Sequence, residues 1–167
     1  MKKTFLLLIT IAATINFVQA QNDWISYTIN NKLSVKIPDQ PVKADENTVY
    51  AIGKDTTVYI ITTVDLFKTD HLDSAKLLIS APTIEFANNF KSSMLSAMPG
   101  YTLGDVSIGK WKGFTSYHME GDNAGEKLKI HAFMIIIGSH IYSLMTMAPP
   151  NHSAVERDAF FNSLAFK

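Results

Sequence analysis

Apolar and polar side chains alternate with period two over residues 24–29 and again over 33–37. This predicts two half-buried strands, with Asn30, Asn31 and Lys32 as the turn of a hairpin between them. Pro38 and Pro41 end the second strand, because proline has no N–H to give a ladder. Residues 47–52 and 57–66 predict another strand pair around Gly53, Lys54 and Asp55, the stretch 58–64 being rich in β-branched side chains. From Asp70 to Met98 the apolar period becomes helical. Leu72, Ala75 and Leu78 or Ile79 make one stripe, and Phe86, Phe90, Met94 and Met98 recur every four residues, a spacing that belongs to a packed core. Pro82 separates two helices or opens the second, with Ser80 nearby as a cap, and Pro99-Gly100 ends the run.

The second half predicts a meander of long strands. Residues 110–120 and 126–137 flank a loop over 121–125. Pairing Glu120 with Lys127 sets His118 against Lys129, Ser116 against His131, Phe114 against Phe133, and Tyr117 against Ile130, so that opposite charges meet and aromatic rings meet. Gly138-Ser139 suits a two-residue turn, and the returning strand 140–147 places Ile136 against Ile141, Ile135 against Tyr142, Phe133 against Leu144 and His131 against Thr146. Residues 132–137 are apolar on both faces, so this strand is expected to be central, with helices or loops covering each side. Ser153 and Glu156 form a capping box for a last helix whose inner stripe contains Val155, Ala159 and Phe160, with Ser163 or Leu164 beyond. The apolar end, Phe161 to Phe166, is expected to dock on the sheet.

The first twenty residues read differently. Lys2 and Lys3, an apolar stretch from Phe5 to Ala13 continued by Ile15, Phe17 and Val18, and the small-residue ending Val18-Gln19-Ala20 make a cleavable signal peptide. Thr10, Thr14 and Asn16 break the stretch, which is too short for a permanent span of about 20 apolar residues. The expected product is one domain, residues 21–167, exported to the periplasm or outside the cell, with no membrane insertion after cleavage. The chain has no cysteine, so it is not lipidated through cysteine and has no disulfide or thiolate site; a packed core must stabilise it. Loss of Lys2 and Lys3 leaves 13 basic against 15 acidic side chains, a net charge of −2 with histidine neutral. With no basic cluster, nucleic acid is not an expected partner.

Chemistry is sparse. The chain contains no serine-nucleophile elbow, no paired-histidine zinc helix and no glycine-rich phosphate loop, so no catalysis and no cofactor are expected. The loop from Gly121 to Glu126 carries oxygen-bearing side chains without the spacing of a calcium loop. One constellation stands out: the strand register makes His118 and His131 diagonal neighbours on one face, with Glu120, Ser116 and Thr146 nearby. Two imidazoles and a carboxylate there are a candidate divalent-metal site, and hence a metal-binding protein or metal-assisted hydrolase is the alternative to a binding domain. Trp24, Tyr27 and Trp111 are a candidate recognition surface, and His71, His140 and His152 read as surface or turn residues.

The order of Trp24 and Tyr27, Leu33-Ser34-Val35-Lys36-Ile37-Pro38 with Pro41, a mid-chain helix, Gly113, Ile141-Tyr142-Ser143-Leu144 and Phe160-Phe161-Asn162-Ser163-Leu164 resembles small exported bacterial members of the PsbP-like family. The resemblance covers nearly the whole mature chain and rests on packing and turn motifs. It implies an α+β fold, a central antiparallel sheet with helices packed on both faces, and an auxiliary binding role for an unknown protein or small molecule. Photosynthetic members assist an oxygen-evolving complex and others bind a small GTPase; no binding residue of either kind matches here.

Overall fold

The structure, a computed structural model, describes residues 24–167; the segment whose pattern reads as a signal peptide lies outside them. Eleven strands and four helices follow one another as β1 (Ile25–Thr28), β2 (Leu33–Ile37), β3 (Val42–Lys43), β4 (Thr48–Ile52), β5 (Val58–Asp65), α1 (Leu66–Asp70), α2 (Ser74–Ser80), α3 (Ile84–Ala97), β6 (Thr102–Leu103), β7 (Ser107–Trp111), β8 (Phe114–Asn123), β9 (Leu128–Ile137), β10 (His140–Ala148), α4 (Ala154–Asn162) and β11 (Ala165–Phe166). All pairings are antiparallel. The main sheet runs β3-β4-β5-β10-β9-β8-β6, with β7 also on β8, and a small sheet runs β1-β2-β11.

Burial on both faces organises these layers. Along β9, Phe133 and Ile135 point to one core while Ala132, Met134 and Ile136 point to the other, as the continuous apolar run requires. One core is closed by Leu66 of α1, Leu77 of α2 and Ala87 of α3, with Phe86, Phe90 and Met94 packed against it. The other is closed by Leu33, Val35 and Ile37 of the small sheet together with Phe160 of α4 and the adjoining Leu164. The architecture is the expected α+β sandwich. On its second face a three-stranded sheet shares the covering with the helix, because the chain's last strand returns to pair with β2.

Five sequence expectations are corrected. Val155 is not on the inner stripe of α4: it is 50% exposed, and Phe160 is the buried residue of that helix. The stripe on α2 is centred on Leu77, 1% exposed, whereas Leu78 and Ile79 are each 79% exposed. Thr83, not Ser80, caps α3, its side chain accepting from Phe86 N. Residues 110–120 are not one strand: Lys112 and Gly113, both at positive φ, make a two-residue turn between β7 and β8. The β8–β9 hairpin is longer than expected. Gly121, Asp122 and Asn123 belong to the ladder, and the register pairs Glu120 with His131, His118 with Phe133 and Tyr117 with Met134. The slip is by four positions, an even number, so every side chain keeps its face. The β9–β10 register is as expected at all four pairs.

Candidate functional site

His118 and Glu120 on β8 alternate away from the buried Tyr117 and Met119, and His131 on β9 shares the face of Phe133. All three therefore lie on the face that carries α4, with His118 and Glu120 exposed beside the helix. The corrected register sets Glu120 directly opposite His131, leaves His118 diagonal to it, and moves Ser116 away to face Ile135. Thr146 of β10 flanks His131 on the other side. The His118 ring rests on Phe133, centroids 4.5 Å apart.

Helix α4 completes the site. Ser153 caps it, accepting from Glu156 N as the capping box predicts. Asp55, in the β4–β5 turn, accepts from Ser153 N and twice from Thr57. Burial pushes the Asp55 carboxyl up, and these hydrogen bonds outweigh it and hold the group below its ordinary value. So anchored, the first turns of α4 deliver Arg157, the chain's one arginine, to the sheet. Its Nη1 donates to His131 Nε2 across 3.2 Å, while Nε donates to Asp158 Oδ1 at 2.8 Å.

That contact fixes the imidazole. With Nε2 accepting, Nδ1 carries the proton and faces Glu120 Oε1 at 3.3 Å. Burial holds His131 below its ordinary pKa, aided by the Arg157 charge and opposed by Glu120. His118 is also held down, by burial, with Glu120 opposing. His152, whose Nδ1 donates to Pro149 O, stands 5.6 Å from the His131 ring. His118, Glu120, His131 and Arg157, together with Phe161 and Asn162, border an open pocket of about 260 Å³.

The structure thus brings His118, His131 and Glu120 together, with Arg157 occupying the lone pair that a metal would take from His131 Nε2. Among the described residues no group of three or more histidine or acidic side chains is arranged to hold a metal ion. Trp24, Tyr27 and Trp111 do not share one surface. Trp24 packs edge-on against Tyr59 and Trp111 against Phe166 of β11, at opposite edges of the small sheet, and Tyr27 lines a separate pocket. Arg157 and His152 were not legible as site residues: the first is a single charge on a helix and the second follows two prolines, and only docking of α4 brings either to β9.

No family model matches the chain, and no curated protein sequence matches it. Among solved structures it is similar to cyanobacterial PsbP (CyanoP) from Synechocystis sp. PCC 6803, with a TM-score of 0.58 and 11% identity over 87% of this chain and 93% of that one. A weaker likeness, TM-score 0.44 and 16% identity over 87% and 79% of the two chains, is to LpqN, involved in cell envelope biogenesis of Mycobacterium tuberculosis. At these identities the comparison concerns architecture alone, and on that ground the chain has the PsbP-like fold that its packing and turn motifs resemble.

Proposed function

We propose that the protein is an exported, non-catalytic accessory domain that binds a protein or small molecule, using the pocket between β8, β9 and α4. The observation that carries this reading is the locked state of His131. Both ring nitrogens are engaged, one by Arg157 and one by Glu120, so the imidazole serves to position the arginine and has no free nitrogen with which to take a proton from a substrate. Two other shifted groups have structural tasks as well. The Tyr117 hydroxyl, pushed up to about 12 by burial, donates to Ala81 O, and Asp55 anchors the start of α4. Export rests on the signal-peptide pattern of residues 1–20.

Affinity capture from a cell-envelope extract tests the proposal, comparing the native protein with Arg157→Ala and Phe161→Ala. A component retained by the native protein and lost with both variants supports it; equal recovery by all three overturns it. Calorimetric titration with zinc is the second arm. Saturable heat that disappears in His118→Ala and His131→Ala would replace the binding reading with a metal site.

A further inference from the structure

About 20 Å further along β9, at roughly 3.3 Å per residue, a second and larger cleft of about 640 Å³ opens where three connections meet. The β1–β2 turn, the α1–α2 link and the β9–β10 turn supply its walls. Its volume lies in the range of small-molecule sites, about 300–1,000 Å³.

The lining combines three kinds of chemistry. Lys32 enters from the β1–β2 turn and Asp73 from the α1–α2 link, and among the described residues neither is in an ion pair. Asp73 uses Oδ1 to cap α2 at Lys76 N, leaving Oδ2 for another donor. The same lining carries apolar surface: Ile137, half-buried, and Phe67, 56% exposed. The third element is the Tyr142 hydroxyl, on a residue 93% buried. Asn30 Nδ2 donates to it at 2.7 Å, and Asn30 is itself held by Lys32 N and Leu33 N donating to its Oδ1. That bond uses the phenol oxygen and not its hydrogen, which leaves the hydroxyl able to donate. His140 stacks on the Tyr142 ring, centroids 6.0 Å apart at 15°.

We propose that this cleft binds a small zwitterion of the amino-acid type, a free amino acid or dipeptide. Its carboxylate meets Lys32, its ammonium meets Asp73, its side chain lies against Phe67 and Ile137, and its carbonyl accepts from Tyr142. An extended dipeptide spans about 7 Å and fits the volume. A simple anion or cation would meet a charge of its own sign in the same lining, whereas a ligand bearing both charges has a partner for each.

The purified full protein is titrated calorimetrically at low salt with the dipeptide Ala-Phe, with its N-acetylated, C-amidated form, and with maltose. Saturable binding of Ala-Phe is expected, weakened about fivefold by Lys32→Gln or by Asp73→Asn, further weakened by Phe67→Ala, and lost with the blocked dipeptide. Asparagine is a good helix cap, so Asp73→Asn keeps α2 intact, and unchanged melting temperatures of the variants check this. Absence of saturable heat at millimolar dipeptide overturns the proposal. So does equal affinity for the blocked form, indifference to both charge substitutions, or a preference for maltose.

Discussion

Arg157 on α4 donates to Nε2 of His131 on β9 across 3.2 Å, a hydrogen bond that exists only while the imidazole is neutral. Protonation of His131 would set an N–H against the guanidinium and cost the docked helix its link to the sheet.

The pH dependence follows from the sign of the shift. Burial and then Arg157 hold the folded pKa of His131 below the ordinary 6.5, so the unfolded chain takes up a proton more readily. Stability from this group is complete above about pH 6.5 and is lost as pH falls from there through the folded pKa. His118 acts in the same sense. Glu156 opposes them at lower pH, because burial and the Asp55 charge push its carboxyl above 4.5. The His131 contribution is therefore read directly: its NMR titration midpoint should lie below 6.5 and rise in Arg157→Gln. A midpoint that Arg157→Gln leaves unmoved would remove the electrostatic role given to the arginine.

Adjacent leucines on α2 should behave oppositely. Leu77 is 1% exposed and packs on the sheet, while Leu78 is 79% exposed. Leu77→Ala should cost about 2–5 kcal/mol, and Leu78→Ala should stay within about 0.5 kcal/mol. Denaturant unfolding of the two variants measures both, and comparable losses would mean that the helix sits in another rotation.

The α2 stripe illustrates what the sequence could and could not carry. A seven-residue helix spans barely two turns, and with Leu77, Leu78 and Ile79 in a row several rotations bury an apolar side chain. Long strands leave less freedom. Residues 132–137 demanded two covered faces, and the Gly138-Ser139 turn set the β9–β10 register correctly. Charge pairing favours Glu120 with Lys127 and so misplaces the β8–β9 register, whereas Gly121 to Asn123 continue the ladder beside β6 and a tighter turn closes it. Since the slip was even, His118, Glu120 and His131 were placed on one face. What that face meets depends on α4, whose docking rests on Phe160 and on Asp55 some hundred residues earlier.

Two glycines should fail for different reasons. Gly113 sits at φ +90° with nothing within 4 Å of an added Cβ, so Gly113→Ala costs only left-handed strain, about 1–2 kcal/mol. A Cβ at Gly121 would fall 1.9 Å from Thr102 O, where β6 pairs closely alongside β8. Gly121→Ala must therefore displace β6, and hydrogen exchange should show the Thr102 and Leu103 amides losing protection while those of β9 and β10 retain it. Equal protection in variant and native protein would contradict the close approach.

The last four residues close the small sheet and should be indispensable to it. Leu164 is 4% exposed in the core under α4. Ala165 and Phe166 pair with Ser34 and Leu33, and Lys167 N donates to Lys32 O at 2.9 Å. Phe166 also packs on Trp111 at 5.2 Å and Phe114 at 5.9 Å, tying β11 to the β7–β8 turn. Deleting residues 164–167 removes one buried leucine, about 1.5–3 kcal/mol by burial alone, and uncovers the β2 edge and the Trp111 ring. The truncated protein should melt at a lower temperature, with Trp111 emission shifted to the red in a Trp24→Phe background that isolates it. Leu164→Ala alone should lower the melting temperature without the full red shift, because Phe166 still covers the indole. If deletion moved neither melting nor emission, the docking of the C-terminus onto the second face would be wrong.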